Sequence, residues 1–283
     1  MTRSTRIAAC QINVALGDKA KNGAVMADRL AAAATKGAQL VGFPECSLTG
    51  YALASRDEVE ELAEPATGPN IKMLQEAAAD CNVLACFGFI ESAGHNLFNS
   101  AILVGRGGPW PVYRKVHLPF MGLDRFVDSG DTGFRVLDVP FGRLGLTICY
   151  DQSFPESARI LALDGAQLVV LLTNWAEGAR DVCEVLTNAR ALENRIFYMT
   201  VDRVGEERGT RFIGTSRIVD CLGRTLEEAS GTEEDIILAD VDLRAADEKR
   251  VVIVAGEHEV DRINDRQPAH YGRLTERGPN GEG

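Results

Sequence analysis

Short apolar runs alternate with helix-patterned stretches along the whole of this 283-residue chain, and that alternation constrains the fold more than any other feature. Strands are expected over residues 6–14, 38–43, 82–91, 99–104, 110–115, 134–138, 143–149, 167–173, 196–203, 212–220, 224–228 and 235–241. Helices are expected over 19–36, 69–80, 155–164 and 181–194, with a shorter one over 243–250. Gly37 suits the end of the first helix, Pro155 the first turn of the third, and residues 92–94 and 140–142 the turns of two hairpins. A long loop spans 117–133. No Pro/Ser/Gly-rich linker or low-complexity block interrupts the pattern, so one α/β domain over residues 1–272 is the simplest reading, with a flexible tail over 273–283. Periodicity alone does not separate a doubly wound sheet from two stacked sheets.

Composition excludes several function classes. The net charge is −11, with a pI near 5.0. Nucleic acid and anionic membrane surfaces call for basic patches, so neither is an expected partner. The seven cysteines include no CxxC pair, and the four histidines, His95, His117, His258 and His270, form no HxxxH or HExxH motif. Neither a disulfide framework nor a metal site is expected, and no cofactor. The first residues read as a strand and not as a signal peptide, no apolar run has membrane-spanning length, and the thiols suit a reducing, cytoplasmic setting.

Three segments carry chemistry. In the first, an apolar strand over 143–148 runs into Cys149, followed by a turn and a helix. A cysteine there is either a core thiol or a nucleophile exposed at a sheet rim, where backbone N–H groups stabilise an anion. In the second, a strand ends in Phe43-Pro44-Glu45, and Glu45 is either a solvated loop acid or a group facing a site. In the third, Lys115 lies between a short strand and the long loop, where a surface role is the ordinary one. Taken together they form a complete set: a thiol nucleophile, a carboxylate to take its proton, and an ammonium to meet the oxyanion of acyl transfer. His117, two residues beyond the lysine, reads as a loop-packing histidine.

At these positions the chain resembles the nitrilase superfamily of carbon–nitrogen hydrolases. The motifs are FPECSLTGY around Glu45, YRKVHLP around Lys115 and LTICYDQSFPE around Cys149, in that order. TNWAEGA (173–179), ARALENRIFYMTVDRVG (189–205) and FIGTSRIVD (212–220) add to it, and the resemblance spans residues 5–272. It implies a four-layer αββα sandwich, Glu45 as general base, Lys115 as stabiliser of the tetrahedral intermediate, Cys149 as nucleophile and the Tyr150 N–H as second oxyanion donor. It also implies pairing into a homodimer or larger homo-oligomer. Where many members carry a second glutamate in the loop after the lysine, this chain has Asp124, one methylene shorter, as the accessory acid.

Tyr51, Asn174 and Trp175 are candidate pocket residues. The pair Tyr150-Asp151 after the nucleophile resembles amidase-like members more than nitrilases, which favours a small amide substrate. Hydrolysis of N-carbamoyl amines or amino acids, nitrile hydrolysis and a catalytically silent binding subunit on the same fold are the alternatives. A substrate carboxylate would call for an arginine pocket, for which Arg125, Arg180 and Arg203 are candidates that sequence does not place.

Overall fold

In the computed structural model, which describes residues 4–108 and 110–276, the apolar runs build two six-stranded sheets. Strand β1 (Thr5–Gln11) is followed by helix α1 (Lys19–Thr35) and β2 (Leu40–Gly42). Helices α2 (Arg56–Leu62) and α3 (Pro69–Asp80) lead to the hairpin of β3 (Leu84–Ala93) and β4 (Asn96–Gly105), then β5 (Tyr113–Arg114). The hairpin β6 (Val136–Val139) and β7 (Gly142–Ile148) opens the second half, with α4 (Pro155–Leu163), β8 (Leu168–Leu172), α5 (Arg180–Asn194) and β9 (Phe197–Val201). A small hairpin, β10 (Glu206–Glu207) and β11 (Thr210–Arg211), precedes β12 (Arg217–Val219), β13 (Thr225–Glu228) and β14 (Asp235–Val241).

The strand orders are β14-β1-β2-β3-β4-β5 and β13-β12-β9-β8-β7-β6. Each sheet has a parallel centre, β1-β2-β3 in one and β7-β8-β9 in the other. Antiparallel strands flank both centres. Parallel strands need both faces covered, and β1 shows how the residues satisfy that. Ile7 and Ala9 enter a core shared with Leu146, Ile148, Val170 and Met199 of the second sheet. Their neighbours Ala8 and Cys10 turn to the other face, against Met26 and Leu30 of α1 and Ile71 and Leu74 of α3. On the outer side of the second sheet, α5 packs on β9, and Leu161 of α4 presses on Gly145 of β7. The result is the four-layer αββα sandwich that the resemblance implied. Burying each large aliphatic side chain stabilises it by roughly 1.5–3 kcal/mol.

Several elements differ from expectation for local reasons. The strand expected over 212–220 survives only at Arg217–Val219, because Gly214 and Thr215 take positive φ values of 59° and 61°. The helix expected over 243–250 is a single 3₁₀ turn, Leu243–Ala246, started by the Asp242 carboxylate accepting from Arg244 N. Helix α2 was not expected: its seven residues are mostly charged, though Ser55 caps the Glu58 N–H at 3.2 Å, a readable start signal. The β3–β4 strands pair as far as Ala93 and Asn96, which moves the turn from 92–94 to Gly94-His95.

The chain divides into two compact units, Met1–Asp247 and Glu248–Gly283. The second holds the hairpin β15 (Arg250–Val254) and β16 (His258–Asp261) and the 3₁₀ turns Pro268–His270 and Gly272–Thr275. Of the expected tail, residues 277–283 lie outside the described residues. No described helix is long and apolar enough to cross a membrane.

Candidate active site

The parallel centres of the two sheets deliver Glu45 and Cys149, and the antiparallel edge strand β5 delivers Lys115. Glu45 follows β2, with Phe43 N tied to Cys86 O and Gly88 N tied to Pro44 O. Gly88 is required here by close approach: a Cβ on it would stand 2.3 Å from Cys46 N and 2.7 Å from Glu45 Cα. Lys115 follows β5, its N–H donating to Asn99 O at 2.8 Å. Cys149 ends β7 at a positive φ of 43°, an uncommon backbone for a non-glycine residue, and opens the 3₁₀ turn Cys149–Ser153.

Asp151 pins that turn. Its buried carboxylate accepts from Ile148 N at 2.9 Å, Tyr113 Oη at 2.6 Å and His117 N at 3.2 Å. The His117 ring sits with Nδ1 at 2.8 Å from Asp151 Oδ1 and stacks on Phe154 at 3.7 Å. His117 therefore packs the loop, as expected, against the turn that carries Cys149.

Glu45, Lys115 and Asp124 form one buried cluster. Lys115 Nζ donates to Glu45 Oε1 at 2.8 Å and to Asp124 Oδ2 at 2.6 Å. The shorter acid thus reaches the lysine directly; it is held by Lys115, Asn99 and the Tyr51 hydroxyl and does not line the cavity described below. Asn99 of β4, which sequence reasoning missed, donates from Nδ2 to Glu45 Oε1 at 2.7 Å and to Asp124 Oδ1 at 2.9 Å. Its Oδ1 accepts the Cys46 thiol at 3.5 Å, which fixes the amide's orientation. The only available signal was a polar Asn-Ser pair inside an otherwise apolar strand.

Both strong donors fall on Glu45 Oε1, so Oε2 is buried without a hydrogen-bond partner. Burial pushes the Glu45 carboxyl above the ordinary glutamate range, with Asp124 adding to it while Lys115 and Asn99 oppose. Burial works against the Lys115 charge, but Asp124 and Glu45 outweigh it and keep the ammonium well above its usual range. Burial, and then the Glu45 charge, raise the Cys149 thiol; Lys115, Thr173 and the Asn174 backbone favour the thiolate. These influences favour the thiol form of Cys149 at rest.

A cavity of about 450 Å³ opens at Cys149, lined also by Tyr51, Tyr150, Asn174, Trp175 and Phe212, while Glu45 and Lys115 are not among its lining residues. Cys149 is the one cysteine among its lining residues and is half-buried, as a nucleophile must be to meet a substrate. Asn174 donates to Glu45 O at 3.0 Å across the two sheets, and its buried Oδ1 has no partner. Trp175 is held by its N–H on Asp202 Oδ1 at 3.0 Å, and Tyr51 by its N–H on Glu207 Oε2 at 2.9 Å. Both candidate pocket aromatics therefore reach the cavity. Among the described residues, no cluster of three His, Cys, Asp or Glu side chains is arranged to hold a metal.

Two sheets in an αββα sandwich, with a half-buried cysteine at a cavity and a buried Glu–Lys pair close by, define a class of site suited to acyl transfer. The family described as carbon-nitrogen hydrolase matches residues 6–251. A nitrilase from Pyrococcus abyssi is 38% identical over 273 residues, covering 95% of this chain and 99% of that one. An omega-amidase from Homo sapiens is 34% identical, covering 77% of this chain and 82% of that one. A variant of the amidase from Nesterenkonia sp. AN1, showing covalent addition of the acetamide moiety of fluoroacetamide at the active-site cysteine, superimposes with a TM-score of 0.78. It is 26% identical, covering 94% of this chain and 95% of that one. The chain belongs to the carbon–nitrogen hydrolases of the nitrilase superfamily.

Proposed function

We propose that this enzyme hydrolyses a small amide to a carboxylate and ammonia through a thioester on Cys149. The observation that carries the reading is the asymmetry of Glu45: Oε1 is occupied by Lys115 and Asn99, and Oε2 is left without a partner. A buried carboxyl group whose pKa is raised above the ordinary glutamate range is suited to accept and return a proton.

In the first half, Glu45 Oε2 takes the thiol proton as sulfur attacks the amide carbonyl. An ammonium has three N–H groups. Two of those on Lys115 go to Glu45 and Asp124, and the third, with the Tyr150 N–H, stabilises the oxyanion. The tetrahedral intermediate collapses, the C–N bond breaks, and Glu45 returns its proton to the departing nitrogen. In the second half, water loses a proton to Glu45 and attacks the thioester carbonyl, and the carboxylate product leaves as Cys149 regains its proton.

The amide reading is supported by the names of the amidase and omega-amidase relatives and by Tyr150-Asp151 after the nucleophile. The nitrilase relative makes nitriles the second reading. We infer that the enzyme acts as a homodimer, paired through the outer faces of α4 and α5.

Cys149→Ala is expected to remove ammonia release from a panel of short amides, by at least about 10³-fold, with the thermal midpoint unchanged. The wild-type enzyme is expected to show a mass increase of one acyl group on Cys149 under quench. Full activity in the alanine variant would sink the reading, and inertness of the wild type toward amides, nitriles and thiol probes would favour a silent binding role.

A further inference from the structure

The cavity beside Cys149 is mostly apolar, with Asn174 at its reacting end and Ser153 and Thr210 as further polar lining residues. The buried Oδ1 of Asn174 has no partner, and the unpartnered Glu45 Oε2 is buried outside the lining. The walls beyond are Ala52, Met121, Trp175, Ala176, Val182 and Phe212. Trp175 and Phe212 are almost fully buried, so their rings present a dry surface.

The three arginines that could have met a substrate carboxylate are engaged elsewhere. Arg203 is fully buried and paired with Glu207, donates to Val14 O at 2.8 Å, and lies over the Phe212 ring at 4.3 Å. Arg125 donates to the carbonyls of Gly122 and Leu53, and Arg180 faces Glu184 at 4.0 Å. The buried cluster next to Cys149 holds two carboxylates, Glu45 and Asp124, against one ammonium, Lys115. A second anion brought into the cavity would lose its hydration against apolar walls and meet the charge of this acid pair.

We propose that the site selects primary amides with an uncharged, apolar acyl group, and that it discriminates against acyl chains ending in a carboxylate. The amide NH₂ has N–H groups to give, and Asn174 Oδ1, an unpartnered acceptor in the cavity lining, receives one of them. The volume, about 450 Å³, admits an alkyl chain of several carbons or one aromatic ring. This inference rests on the amidase reading above and adds the class of acyl group.

The test compares straight-chain amides from propanamide to hexanamide with glutaramate, which has a similar chain but ends in a carboxylate. For the neutral series, kcat/KM is expected to rise about threefold per methylene. Hexanamide is expected to exceed glutaramate by about 30-fold or more. Val182→Lys, which puts a cation in the wall, is expected to narrow that ratio by about tenfold. Equal or better turnover of glutaramate by the wild type overturns the proposal, as does a ratio unmoved by Val182→Lys. If no amide is hydrolysed, the amidase reading fails by itself, and protection of Cys149 from iodoacetamide then decides the class. Protection by hexanamide and not by glutaramate upholds it; the reverse overturns it.

Discussion

At the scale of single residues, one amide nitrogen organises the chemistry. Asn99 Nδ2 donates to Glu45 Oε1 and Asp124 Oδ1, and so aims the other Glu45 oxygen away from the ion pair. Its hydrogen bond also lowers a Glu45 pKa that burial raises. A protonated Glu45 cannot take the thiol proton, so kcat/KM falls as pH drops through the raised pKa. The acid limb is therefore expected above the value of about 4.3 for an unperturbed glutamate. Asn99→Leu removes a donor to the carboxylate and is expected to move that limb to still higher pH, with kcat about 10- to 100-fold lower. The kcat/KM–pH profile checks this, and a limb that stays in place would show Asn99 to be mere packing. Glu45, Lys115 and Cys149 were legible because their motifs are local strings. Asn99 was not, since a single buried amide in a strand becomes meaningful only once its neighbours are known.

At the scale of elements, the site depends on how tightly strand ends can approach. The Glu45 backbone lies on Gly88 of β3 with no room for a side chain. Gly88→Ala is expected to cost about 1–3 kcal/mol of stability and to lower kcat in the folded enzyme. Urea unfolding and activity at matched folded fraction measure the two effects, and wild-type values of both would remove the packing argument. The regular elements were readable where periodicity ran unbroken: α3 spans Pro69–Asp80 and β14 spans Asp235–Val241, both as expected. Expectation failed where side-chain hydrogen bonds or positive φ values took over, as at the Asp242 cap, Gly214-Thr215 and the Ser55-capped α2. Such short-range events compete with periodicity and leave no regular pattern.

At the scale of the whole molecule, both sheets spend their inner faces on one shared core, and the helices cover the outer faces. Helices α4 and α5 still present Ile160, Leu163 and Val185 to solvent, with Val185 62% exposed. With Leu192 of α5, also exposed, they make four; single exposed aliphatics are ordinary, but four on adjacent helices suit a pairing face. Val185→Asp is expected to convert a dimer to a monomer in light scattering; a monomeric wild type would defeat the assembly reading. By itself, the sequence determined the α/β class and the order of most elements and singled out the three groups proposed to react, because periodicity and motif are properties of contiguous residues. Only the tertiary structure decided which Glu45 oxygen is without a partner and that Asp124 reaches Lys115. It alone brought Tyr51, Trp175, Val182 and Phe212 into one cavity wall, because those relations join segments far apart in the chain and exist only once the two sheets have packed face to face.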